Sequence, residues 1–239
     1  MQAESQRSDV ALYFTLTIIS VLLILIGFAP SFYLKAFIHA PVPPLSQLTI
    51  VHGAVFTAWL VLFVTQISLI AADKVALHRQ LGIVGAVLFG AMLALGYSTA
   101  ITAARLGHAP PGAPPPLAFL ALPLMGITVT LILVVAALLN RRRADWHKRL
   151  MTAAMITLTP PGTARIMIPL GLAPQAIWIA LGIIEMLLVV AALYDYRVHK
   201  RVHPAWWFAI VLAVILHIGV WWAFSSPAWL AFAKAVTQS

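Results

Sequence analysis

Long apolar runs separated by short basic connectors dominate the chain. Read with a window of about 19 residues, the runs fall at 10–28, 48–72, 81–104, 117–139, 150–170, 175–194 and 205–224. Each comes close to the roughly 20 residues that a helix needs to cross a ~30 Å hydrocarbon core. The pattern predicts an all-α polytopic bundle of seven transmembrane helices, forming one integral membrane domain over residues 1–239. The first run lacks a basic leading region and a small-residue cleavage site, so it reads as an uncleaved helix and not as a signal peptide. The proline-rich stretch Arg105 to Pro116 reads as an extended connector, and the tail from Ser226 as a segment too short to span, lying along the surface.

Composition removes the alternatives. Of the residues, 62% are hydrophobic and 9% charged, against roughly 25% charged in a soluble domain. A water-soluble globular domain is therefore excluded. With no cysteine, disulfides, thiolate metal sites, cysteine nucleophiles and covalently attached haem are excluded too.

The formal net charge of +9 does not indicate nucleic acid, because the basic residues sit between the apolar runs and not on one face of a domain. Lys74, Arg79, Arg141, Arg142, Arg143, Lys148, Arg149, Arg197, Lys200 and Arg201, with Arg7 in the N-terminal tail, fall on one side, while Lys35, Arg105 and Lys234 fall on the other. By the positive-inside rule the crowded side is cytoplasmic, which places the N-terminus inside and the C-terminus outside. Trp146, Tyr194, Tyr196, Trp206 and Trp207 flank the inner edge, and Phe32, Tyr33, Trp221 and Trp222 the outer one, as interfacial belts do.

An ionisable residue within a span costs at least ~2.5 kcal/mol and is a candidate for function. His52, Arg165, Glu185 and His217 qualify, with Gln66 as an uncharged companion. His52 shares a helix face with Phe56, Trp59, Phe63 and Gln66, and His217 lies at a similar outer depth with Trp221 and Phe224 on its stripe. The fifth run breaks at Thr159-Pro160-Pro161-Gly162, where the prolines remove backbone donors and leave carbonyls without partners. Arg165 follows the break, and the short turn to the sixth run makes an ion pair with Glu185 geometrically accessible.

On the inner side, His78 is in helical register with Gly82, Ala86 and Gly90, a small-residue stripe that admits a neighbouring helix or a flat macrocycle. Asp145, His147, Asp195, His199 and His203 gather on the same rim. The His199-x-x-x-His203 spacing suits a metal on one helical face, but Pro204 biases His203 away from helix and the basic neighbours oppose a divalent cation. Rim charges serving orientation and contact with anionic lipid account for the cluster better.

The combination Val51-His52-Gly53, Trp59, Gln66, Leu77-His78-Arg79, Gly82, Asp145-Trp146-His147-Lys148-Arg149-Leu150-Met151, Asp195 and Val202-His203-Pro204 resembles a group of bacterial multi-pass membrane proteins of unassigned function. That resemblance implies a helical fold in a bacterial inner membrane. More loosely, the chain is similar to the diheme b-type transmembrane cytochromes. This likeness implies haem b held by His52 with His217 near the outer face and by His78 with His147 near the inner one, with a membrane redox partner or a homo-oligomer. Three other readings stay open: a transporter with a mid-membrane site of Arg165, Glu185 and Gln66, a rim enzyme using His78, Asp145, His147, Asp195 and His203, and a structural or accessory membrane protein. The last span has no lysine for a retinal Schiff base, and no serine elbow, phosphate loop or dinucleotide fingerprint is present.

Overall fold

A computed structural model describes residues 2–38 and 44–238, with side chains from Val10 onward. Arg7, one of the inner-side charges, therefore lies outside the described side chains. All regular structure among the described residues is helical. It comprises α1 (Gln2–Phe28), α2 (Gln47–Ala71), α3 (Val75–Arg105), α4 (Pro116–Phe119), α5 (Ala121–Leu139), α6 (Ala144–Thr157), α7 (Pro160–Met167), α8 (Ala176–His199), α9 (Pro204–Ala223) and α10 (Pro227–Gln238). A π-helical turn at Ala29–Tyr33 extends α1, and a 3₁₀ turn at Ala173–Gln175 leads into α8.

Six helical stretches are long and apolar enough to cross a membrane: Val10–Tyr33, Gln47–Ala71, Val75–Arg105, Pro116–Leu139, Ala173–His199 and Pro204–Ala223. The run expected to form one span at 150–170 differs, because the prolines divide it into α6 and α7. Neither half has the length to cross alone.

This divided segment is nevertheless the centre of the bundle. Helix α6 packs against α1, α5, α8 and α9, and Leu150, Ala153, Ala154, Met155 and Ile156 are fully buried there. In lipid, association rests on close packing more than on exclusion of water, so small residues at crossings matter most. At the crossing of α1 with α7, a Cβ on Gly27 would collide with the Gly162 backbone, and one on Gly162 would fall 2.6 Å from the Leu23 carbonyl oxygen and 2.7 Å from Ile24 Cα. Two bare backbones touch at that point.

The ends of the helices follow from local chemistry. Ser46 Oγ accepts from the Thr49 N–H at 3.2 Å and starts α2. Lys200 adopts a left-handed conformation at φ 57° and stops α8, while extended His203 followed by Pro204 starts α9. The tail expected to lie along the surface forms α10, which packs on α3 and α4. It is tied there by Trp229 Nε1–H donating to the Leu117 carbonyl at 3.0 Å and Arg105 Nε–H donating to the Thr237 carbonyl at 2.8 Å.

Candidate functional site

The rim cluster assembles where α6, α8 and the start of α9 meet. Arg149 and Asp195 are both buried and form a two-bond pair. Nε–H donates to Oδ2 at 3.0 Å and an Nη2 hydrogen to Oδ1 at 2.6 Å. Arg149 Nη1 also donates to the Asp145 carbonyl at 2.9 Å, and the His203 backbone N–H donates to Asp195 Oδ2 at 3.1 Å. Around them lies a polar cleft of about 450 Å³ lined by Asp145, Lys148, Arg149, Asp195, His199, Arg201 and His203.

His203 has a defined tautomer. Its Nδ1 accepts the Ala205 N–H at 3.1 Å as an N-cap, so the proton sits on Nε2, 3.0 Å from Asp145 Oδ2. Burial holds its pKa below the ordinary histidine value, the Asp145 bond opposes that, and the Arg149 charge adds to it. For Asp145, burial would raise the carboxyl, but bonds from His203 and the Trp146 N–H outweigh it and leave it below the usual value. No group of three or more His, Asp or Glu among the described residues is arranged to hold a metal ion. His199 and His203 lie on opposite sides of the Lys200 kink, so they do not share a helical face.

The inner histidines come together. The rings of His78 on α3 and His147 on α6 lie 6.3 Å apart at an interplanar angle of 82°. His147 Nδ1–H donates to the Ala137 carbonyl at 2.9 Å and His78 Nδ1–H to the Gln66 carbonyl at 3.4 Å. A carbonyl only accepts, so each Nδ1 carries a proton, and in the neutral tautomer Nε2 keeps its lone pair. Anchoring of the second nitrogen by a carbonyl is the usual outer support of a ligating histidine.

The stripe beside this pair is open. Ala86 and Gly90 are exposed, and a Cβ on Gly90 would meet nothing within 4 Å. Among the described residues no helix covers Ala86 or Gly90. Gln66 lies at this level, its amide 3.7 Å from a Cβ on Gly82, and its buried Oε1 has no partner among the described residues. The paired rings, the exposed Ala86 and Gly90 and the unpartnered Gln66 oxygen thus lie on one part of the inner side.

The mid-membrane group is arranged differently from the expectation. Arg165 donates from Nη1 to the Pro161 carbonyl at 2.8 Å and lies 4.2 Å over the Phe28 ring. Glu185 is bonded instead to His217, with Oε1 2.8 Å from Nδ1. The break leaves fewer bare carbonyls than the prolines imply. The Ile156 carbonyl, which Pro160 would have bonded, accepts the Thr159 N–H at 3.1 Å and the Thr159 hydroxyl at 2.8 Å. The Ala154 carbonyl accepts the Thr157 hydroxyl at 2.8 Å. Threonines thus do the work that an ion would do in a transporter break.

His52 lies against Phe56, ring centres 4.2 Å apart, and its Nδ1 is buried with no hydrogen-bond partner among the described residues. Helix α2 packs chiefly on α1 and α3, whereas α9 packs on α5, α6 and α8, and no ring contact joins His52 to His217 among the described residues. Sequence reasoning missed Arg149 as the centre of the rim and Trp178 as the partner of His217. The Asp-Trp-His-Lys-Arg run offered a signal for Arg149, since positions 145 and 149 share a helix face.

Comparison with protein families, curated proteins and solved structures finds no match for this chain. The molecule is thus defined by its own geometry as a membrane-compatible helical bundle with apolar helices suited to contact with a lipid bilayer.

Proposed function

We propose that the chain is a multi-pass protein of a bacterial plasma membrane that holds one b-type haem between His78 and His147 and works in electron transfer. It crosses seven times, with α6 and α7 together forming the fifth crossing, and its arginine-rich rim faces the cytoplasm. The observation that carries this reading is the pairing of the two imidazoles at 6.3 Å, each tethered through Nδ1 to a backbone carbonyl. Bound there, haem would supply one-electron chemistry tuned by its ligands and by the dryness of its surroundings. The protein's own part is to keep both Nε2 atoms unprotonated, fix the ring orientations and offer the Gly82, Ala86 and Gly90 face to a planar group.

The test is the optical spectrum of protein purified from cells supplied with haem precursor. Soret and α bands that shift on reduction and vanish in both His78→Ala and His147→Ala are expected. A colourless wild-type protein that also takes up no added haemin, or bands that survive both substitutions, would overturn the assignment.

A further inference from the structure

A carboxylate and an imidazole face each other deep within the apolar helices, away from the inner histidines. Trp178, Gly182 and Glu185 share one face of α8, and His217, Trp221 and Phe224 one face of α9, by spacings of four and seven. The two faces meet. His217 Nδ1 lies 2.8 Å from Glu185 Oε1, the Trp178 ring stacks on the imidazole at 5.5 Å and 16°, and Trp178 meets Phe224 edge-on at 5.7 Å. At 1.5 Å per residue, Glu185 is about 13 Å along α8 from Ala176 and His217 about 9 Å along α9 from Ala223, so both lie below the ends of their helices.

The pair is open on one side. The side chains of His217 and Glu185 are 31% and 34% exposed, and a Cβ on Gly182 would meet nothing within 4 Å. With the carboxylate accepting, Nδ1–H donates, and in the neutral tautomer Nε2 is left as an acceptor. Neither Nε2 nor Glu185 Oε2 has a hydrogen-bond partner among the described residues. Acyl chains cannot bond either atom, and unmet polar groups in hydrocarbon cost several kcal/mol. A ligand that reaches the groove through the bilayer and satisfies these acceptors has to bring a hydrogen-bond donor, and a hydroxyl is one that a lipid-soluble molecule carries. The aromatic lining and the bare surface at Gly182 suit a flat ring.

We infer that the groove between α8 and α9 binds a lipid-soluble quinol, whose hydroxyl donates to His217 Nε2 while Glu185 holds the imidazole in the accepting tautomer. Trp178 and Phe224 supply the ring contacts. Glu185 is a positioning residue here, acting only through His217. The site stands apart from His78 and His147, so it holds or fails independently of the haem assignment.

The experiment titrates the full chain in quinone-free lipid nanodiscs, under anaerobic conditions, with a short-chain ubiquinol and with its dimethyl ether, which cannot donate. Calorimetry is the readout, and a His78→Ala chain is run in parallel so that haem plays no part. The quinol is expected to bind, and the ether to bind about tenfold more weakly, as loss of one hydrogen bond requires. His217→Phe should lose the quinol preference, whereas Glu185→Gln, which still accepts from Nδ1–H, should largely keep it. Equal binding of quinol and ether to the unaltered protein would overturn the inference without reliance on any variant. So would a folded His217→Phe chain of unchanged affinity, or a wild-type chain that ignores quinol but forms a dimer lost in His217→Phe, which would assign the groove to a second copy.

Discussion

Arg149 and Asp195, 46 residues apart in sequence, close a two-bond ion pair with side chains only 5% and 1% exposed. The pair locks the start of α6 to the end of α8, and the His203 N–H on the same carboxylate adds the entry to α9. Removing one partner of such a pair strands a buried charge, which costs about 3–5 kcal/mol. Asp195→Ala is therefore expected to lower the thermal midpoint in detergent sharply. Arg149→Met with Asp195→Leu together should cost much less than either change alone. If the single change at Asp195 leaves the midpoint where it was, the pair does not hold the rim.

The contact of Gly27 with Gly162 makes a second prediction. A methyl group at position 162 has no room against the Leu23 carbonyl and Ile24, and backbone cannot yield as a side-chain tip can. Gly162→Ala should destabilise by about 1–3 kcal/mol through forced separation of α1 from α7. Gly126→Ala, where a Cβ would meet nothing within 4 Å, should be neutral or stabilising, since alanine favours helix by up to about 1 kcal/mol. Comparison of the two unfolding curves decides it.

The rim should respond to acid through His203. Its folded pKa lies below the ordinary value of 6.5, first because of burial. The unfolded chain therefore takes up a proton as pH falls through 6.5, while the folded protein does so only at lower pH. Stability attributable to this residue is complete above 6.5 and declines as pH drops below it. Asp145 contributes in the same direction at lower pH, its stabilisation being present above the ordinary carboxyl value of 3.8 and lost as pH falls through the depressed folded value. A melting series from pH 7.5 to 5 should show a decline that is smaller in His203→Gln; an identical decline in both proteins would remove His203 as its source.

Thr130 and Thr157 join α5 to α6 through hydroxyls 2.9 Å apart. Hydrogen bonds between helices in a membrane average about 0.6 kcal/mol, so Thr157→Val should cost well under the loss expected at Asp195. A larger effect in unfolding measurements would mean that the Thr157 bond to the Ala154 carbonyl matters to the break itself.

Six of the apolar runs were legible because length and hydropathy alone mark a crossing helix, and the connectors between runs placed His78, Asp145, His147, Asp195 and His203 together on the inner rim. Partners were less legible. Glu185 was matched to Arg165 through the short turn that makes their runs neighbours, yet α8 packs against α7 and α9 and Glu185 meets His217. Arg149 read as one more topological charge, because its burial depends on a carboxylate 46 residues away that no local pattern reveals. The prolines of the break were legible, but not that the hydroxyls of Thr157 and Thr159 supply donors to the carbonyls of Ala154 and Ile156.

A central segment cut into pieces of 14 and 8 residues has consequences for biogenesis. If it forms the fifth crossing proposed above, its basic opening turn and its prolines deny it the free energy to leave an insertion channel by itself, whereas the six long apolar helices are each suited to partition unaided. It must wait for α1, α5, α8 and α9 to be at hand and enter as their passenger. Chains truncated before α8 should thus strand the middle of the protein at the channel, exposed to quality-control proteases.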